Sequence, residues 1–231
     1  MAFCFGFDTA VINGAVDAIT TDFELGPFLS GFSVSCALLG SAVGAWYAGA
    51  IADRFGRVKA MLVAAAMFAI SAIGSGLAFA VWDLIAWRFV GGLGIGMASV
   101  IAPAYIAEIS PAHIRGRLGS LQQLAIVSGI FVALLSDAWL ANIAGGANQE
   151  LWLGLDAWRW MFIAGLVPSL IYAVLALSVP ESPRYLVAHG EERRAAEVLS
   201  DVLGSVSREA IQKKVGDIAK SLHPGARATP A

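Results

Sequence analysis

The sequence predicts an all-α membrane protein with six membrane-crossing helices followed by short amphipathic helices on one side of the bilayer. Three observations predict it. Hydrophobic residues make up 58% of the 231 positions and charged residues 14%, whereas a soluble domain carries about 25% charged residues. The apolar residues fall in blocks of about 20, the length that crosses a hydrocarbon core roughly 30 Å thick. The basic residues are confined to alternate connections between those blocks, as the positive-inside rule requires of a polytopic protein.

The first span runs from Met1 to about Ile19 and closes at the polar stretch from Thr20 to Glu24 and at Pro27. Its opening apolar run has no basic region ahead of it and already contains Asp8, so it reads as a membrane helix lacking its front part rather than as a signal peptide. The second span covers about Phe28 to Ala52, the third Ala60 to Ala80 and the fourth Trp82 to Ile106. The fifth covers Leu118 to Ile143 and the sixth Trp158 to Val179. Beyond Pro180 the composition changes. Glu191 to Leu203 and Arg208 to Leu222 are charged, with apolar residues such as Ala195, Val198, Leu199 and Val202 at helical spacing, and read as amphipathic helices outside the membrane. His223 to Ala231 contains two prolines and a glycine and reads as a disordered tail. The expected division is a bundle over 1–180, a helical region over 181–222 and the tail over 223–231.

Of the 15 Lys and Arg, all but Arg88 and Arg159 fall in the 2–3 connection, in the 4–5 connection or after the sixth span. The 1–2, 3–4 and 5–6 connections carry only acids (Asp22, Glu24, Asp83, Glu150, Asp156). The basic side is expected to be cytoplasmic, the C-terminal region with it, and the membrane to be the cell's inner, plasma membrane. Gly40, Gly44, Ala48 and Ala52 recur every four residues on the second span, and Gly92 and Gly96 on the fourth. Such stripes let helix backbones approach closely in lipid. Gly56-Arg57 recurs as Gly116-Arg117 at what the pattern places as equivalent basic turns, a faint three-helix repeat of the kind found in transporters.

Several classes are excluded. No sustained basic run points to nucleic acid. Cys4 and Cys36 sit in apolar surroundings and read as small fillers. The GxGxxG-like spacing at Gly91 to Gly96 lies inside a membrane span rather than after a strand, and no triad or zinc constellation is visible. No covalent catalysis, no cofactor and no metal are expected.

Asp8 and Arg88 carry the most specific chemistry. A charge inside an apolar span costs about 2.5–3.5 kcal/mol on insertion scales, so such groups face a cavity and pair. At 1.5 Å per residue Arg88 lies roughly 9 Å, and Asp8 roughly 16 Å, from the acidic ends of their helices, within mutual reach. The pair is either a buried structural ion pair or a protonation switch whose carboxylate changes its proton affinity as the partner moves. Gln123 opens an apolar helix and offers an amide suited to sugar hydroxyls. Gln123, Ile130 and Asp137 are spaced by seven and are expected on one face, with Gln122 pointing elsewhere. Phe5, two positions before Phe7 and beside Asp8, could stack on a sugar ring. Asp53, Arg54, Arg57, Glu108, Arg115, Glu181 and Arg184 fall at basic helix ends and read either as a solvated rim or as an ion-pair lattice holding an inner gate. Trp82, Trp87, Trp152, Trp158 and Trp160 read as interfacial anchors at the acidic ends.

Taken together, these residues resemble the sugar porter family of the major facilitator superfamily. Gly49 followed by Asp53-Arg-Phe-Gly-Arg57 is similar to the superfamily's loop motif between helices two and three. Phe5-Gly-Phe-Asp8, Arg88-Phe-Val-Gly-Gly-Leu-Gly-Ile-Gly96, Tyr105-Ile-Ala-Glu108, His113-Ile-Arg-Gly-Arg117, Trp158-Arg-Trp160 and Pro180-Glu-Ser-Pro-Arg184 are similar to sugar porter motifs, and the resemblance covers about residues 3 to 204. It implies the six-helix N-terminal half of a major facilitator fold, with the C-terminal six-helix half missing. It also implies sugar transport by alternating access in a lipid bilayer, proton-coupled because Asp8 matches the acid of bacterial symporters, where facilitative relatives often carry Asn. Arg88 matches the partner of that acid, and Gln123 a sugar-binding glutamine. Ile130 stands where some xylose-type porters carry a second glutamine. Glu108, Arg115, Glu181 and Arg184 match the inner-gate network, while Val58 replaces a second basic residue of the loop motif. A sugar sensor without flux, a non-functional fragment, and a polyol or organic-acid substrate are the alternatives.

Overall fold

The computed structural model describes residues 2–110, 112–203 and 207–222; the tail expected over 223–231 lies outside them. Helices α1 (Ala2–Asp22), α2 (Pro27–Phe55), α3 (Arg57–Gly76), α4 (Val81–Ile109) and α5 (Ala112–Ala144), and the pair α6 (Ala157–Ala164) and α7 (Leu166–Ser178), are the six spans. The helix pair crosses as one span interrupted at Gly165, where the sequence predicts a continuous helix. Pro168 accounts for the break: it has no N–H to give the Ala164 carbonyl, and its ring crowds the preceding turn. The Gly165 amide tightens instead onto the Phe162 carbonyl at 2.9 Å. The fifth helix begins earlier than expected, so that the basic His113–Arg117 segment is helical rather than a connection.

The bundle is apolar outside and small inside. Leu38, Trp46, Phe131 and Leu175 are exposed around it, as suits side chains that meet lipid. Where helices touch, glycine replaces side chain. A Cβ on Gly40 would overlap the Phe89 carbonyl, and one on Gly44 the Leu93 carbonyl; on the facing helix, Gly92 and Gly96 meet the Ala37 and Ser41 carbonyls. The two stripes read from the sequence therefore face each other along the α2–α4 seam. A second seam joins α1 to α5, with Gly6 against the Ile126 carbonyl and Gly129 against that of Phe3. Advancing every span by three exchanges the α2–α4 seam with the α5–α1 seam, the internal symmetry of a three-helix repeat. The dipeptides that hinted at it are not equivalent, however. Gly56, with φ of 98°, turns the chain between α2 and α3, a conformation that favours glycine, whereas Gly116 lies inside α5.

At the acidic end, Glu150–Trp152 (β1) and Leu155–Asp156 (β2) form an antiparallel hairpin. Its turn residues Leu153 and Gly154 both have positive φ, the hairpin geometry that matches strand twist. Trp152, exposed, packs edge-on against Trp160. Trp158 corrects the anchor reading: it is fully buried and meets Phe23 and Phe162 edge to face. Arg159 lies over its ring, pairs with Asp22 at 3.3 Å and donates to the Ala78 carbonyl. One guanidinium thus ties the acidic ends of α1 and α3 to α6.

At the basic end, α8 (Pro183–Ala188), α9 (Glu192–Leu203) and α10 (Arg208–Leu222) close on a small apolar core of Leu186, Leu199, Ile211 and Val215. The sequence reading located α9 and α10 but passed over α8. Its signal is Ser182, whose hydroxyl accepts from the Arg184 amide as an N-cap, followed by Pro183 at the first helical position.

Candidate functional site

Two constellations stand at different depths. The first lies mid-span, where α4 passes α1. Arg88 is 3% exposed, and its Nη1 approaches Asp8 Oδ2 at 3.9 Å and the Asp8 carbonyl oxygen at 3.5 Å. The carboxylate and guanidinium stand at ion-pair distance without a direct hydrogen bond between the side chains. The guanidinium also lies 5.6 Å from the Phe162 ring centre. Gly91, one turn along α4 from Arg88, makes room for Ser71 of α3: a Cβ there would overlap the Ser71 hydroxyl, and would come only to ordinary contact, 3.7 Å, with Asp8 Oδ2. Opposite charges placed together in a low-dielectric region neutralise each other, which lets both spans keep an ionisable group.

One turn toward the basic end from Asp8, Phe5 borders a cavity of about 130 Å³ whose polar lining comes from Ser99 and Gln122. Here the two glutamines take different surroundings. Gln122, expected to point elsewhere, lines the cavity with Phe5, while Gln123 is exposed on the open side of α5. Gln123, Ile130 and Asp137 do not keep one environment either. Ile130 packs partly buried against the α1 side, and Asp137 is buried. A straight helix drifts about 20° per heptad, and over two heptads this turns the row from an open surface into the α1 seam. Ile130 offers the neighbourhood of Gln123 no polar group.

Sequence reasoning passed over the polar row on α1. Thr9, Asn13 and Asp17 recur every four residues and all are exposed, the signal being that spacing inside an apolar span. Polar groups facing hydrocarbon are costly, so this face and Gln123 belong against water or a second bundle.

The second constellation sits at the basic ends. Arg57 forks onto Glu108, Nε to Oε2 at 3.0 Å and Nη2 to Oε1 at 2.9 Å, and also reaches Asp53 at 3.0 Å and the Ala52 carbonyl at 3.1 Å. The Ser182 hydroxyl donates to Glu108 at 2.5 Å. Glu181 accepts from the Arg57 and Val58 amides at 2.9 and 3.2 Å, so it satisfies the free N–H groups that open α3. The expected lattice is therefore narrower than its residue set. Arg115 donates to the Ala107 and Ser110 carbonyls, closing the end of α4 instead of pairing with an acid. Arg54 lies over the Phe55 ring. Arg184 borders a cavity of about 390 Å³ shared with Asp53, Arg57 and Glu108. The physical reason is reach: helix-end carbonyls and amides stand closer to Arg115 and Glu181 than any opposite charge. Among the described residues no cluster of three metal-ligating side chains occurs.

A family profile described as "Sugar (and other) transporter" matches residues 1–229. The chain is 63% identical over 203 residues to the glucose transport protein of Synechocystis sp., covering 87% of this chain and 43% of that protein. It is 39% identical to the arabinose-proton symporter of Bacillus subtilis, covering 96% of this chain and 49% of that one. The solved structure of the xylose transporter XylE from E. coli, in a partially occluded inward open conformation, superposes with a TM-score of 0.87 at 35% identity, over 97% of this chain and 57% of that one. The chain spans about half the length of these relatives.

Proposed function

The chain belongs to the sugar transporter family as a multi-pass membrane protein with the N-terminal half of a major facilitator fold, and from that premise we propose that it supplies one wall of a proton-coupled monosaccharide transporter. The observation that carries this reading is the Asp8–Arg88 pair, buried at mid-span beside a cavity bordered by Phe5 and Gln122. The relatives named for proton symport and for glucose transport favour a proton as the coupling ion and an aldose as cargo.

In the proposed cycle the sugar lies against the polar face of α1 and α5. Phe5 stacks on its apolar face, and Gln123, with Gln122 nearby, meets its hydroxyls. A second six-helix half closes the far side, and rocking of the halves exposes the cleft to each side of the inner membrane in turn. The proton moves on Asp8: approach of Arg88 favours the carboxylate form, and separation of the two favours the protonated one. The Arg57–Glu108–Asp53 cluster, with Arg54, Arg115, Glu181 and Arg184 around it, holds the cytoplasmic ends together while the inner side is shut.

The test is a chimera joining this chain to the C-terminal half of the Synechocystis relative, reconstituted in proteoliposomes. It is expected to exchange labelled sugar in counterflow and to accumulate it when a pH gradient is imposed. Asp8→Asn is expected to abolish accumulation while leaving counterflow. Accumulation that survives Asp8→Asn removes the coupling role, and sugar binding without counterflow favours a sensor.

A further inference from the structure

A third carboxylate lies within the bundle and takes no part in the site above. Asp137 of α5 is 3% exposed, and neither of its oxygens has a hydrogen-bond partner. It stands where α5 packs on α1. The residue opposite is Gly14, where a Cβ would come within 2.6 Å of both Asp137 Cβ and Oδ2. On the same face of α5, Ala133 and Leu140 lie a turn to either side, in an apolar cluster with Ile12, Ala15 and Trp158.

The charged groups on the elements packed against α5 are occupied elsewhere or lie at the surface. Asp8 of α1 pairs with Arg88 of α4. Asp22 of α1 pairs with Arg159 of α6. Asp83 of α4 accepts from the Phe79 amide, and Glu108 is held by Arg57. Asp17 of α1 and Glu150 of β1 are exposed. Among the described residues none pairs with Asp137.

A buried carboxylate without a partner carries a desolvation cost that nothing opposite offsets, whereas the neutral acid behaves as an ordinary small polar group. We infer that Asp137 is a second proton-binding site of this chain, set in the α1–α5 seam and separate from the Asp8–Arg88 pair. The neutral side chain fits the space that Gly14 leaves, and exchange of its proton with water requires α1 and α5 to part there. Occupancy of the site therefore follows closure of the seam. The site stands whether or not the chain moves a sugar.

Infrared difference spectroscopy on the whole chain in lipid, at neutral pH, tests this. Asp137→Asn keeps the shape and removes the titratable proton. It is expected to delete one protonated-carboxyl C=O stretching band, one that shifts down in D2O in the parent, and to leave the carboxylate bands unchanged. Asp8→Asn, measured alongside, is expected to leave that band in place. Loss of a carboxylate band on Asp137→Asn shows the group ionised and overturns the inference. Asp137→Ser provides the same readout should the asparagine variant not fold. With either variant or neither, a parent spectrum lacking any protonated-carboxyl band also overturns it.

Discussion

Replacing Gly96 with leucine is expected to leave no folded chain to recover in detergent, while leucine at Gly49 on the neighbouring helix is expected to be tolerated. The two glycines differ only in what stands opposite. At Gly96 even a Cβ overlaps the Ser41 carbonyl, whereas nothing lies within 4 Å of a Cβ at Gly49. In lipid, helix association depends on close backbone contact because water exclusion contributes little once both surfaces are apolar. A side chain at Gly96 forces α4 off α2 at the point where Gly40, Gly44 and Gly92 also need contact. Alanine at Gly96 is the graded version. Overpacking costs about 1–3 kcal/mol, and alanine's better helix propensity returns up to about 1 kcal/mol, so a net loss of up to about 3 kcal/mol is expected. Unfolding of each variant in mixed micelles, followed by tryptophan fluorescence, measures it. Equal midpoints for Gly96→Ala and Gly49→Ala would show that the seam does not hold the bundle.

Arg57→Ala is expected to destabilise the chain by about 3 kcal/mol, the order found when one member of a buried ion pair is removed. The side chains of Arg57 and Glu108 are 11% and 13% exposed, so solvent screens the pair little. Their two parallel bonds form a fork that a point charge cannot reproduce. Removing the guanidinium leaves Glu108 with the Ser182 hydroxyl and strips Asp53 and the Ala52 carbonyl of their donor. Arg57→Lys restores charge but not the fork, and is expected to recover part of the loss. Arg193→Ala supplies the comparison: its pair with Glu197 is exposed, and exposed pairs contribute little. A midpoint for Arg57→Ala that matches Arg193→Ala would reduce the cluster to a solvated rim.

Much of this architecture was legible in the residues. Each span announced itself because hydropathy is a property of a segment, and the connections between spans alternate between basic and acidic. Asp8 and Arg88 were legible as partners because two opposite charges in apolar helices have few other ways to be tolerated. The cluster at the basic ends was legible as a set but not as a wiring. Which acid Arg57 forks onto, and that Arg115 and Glu181 turn to backbone groups, depends on distances of a few ångströms that spacing does not encode.

What the sequence determined by itself is the number of spans, their order and the identity of the charges held within them. These follow from composition along one dimension. The tertiary structure alone decided how each helix is rotated about its own axis: that Gly92 and Gly96 meet Gly40 and Gly44, that Gln122 rather than Gln123 borders the cavity beside Phe5, and that Asp137 faces Gly14 with no partner. In water a helix's apolar stripe reveals its inward face. In lipid both faces are apolar, so rotation is set by where backbones can approach, and that requires two helices to be seen together.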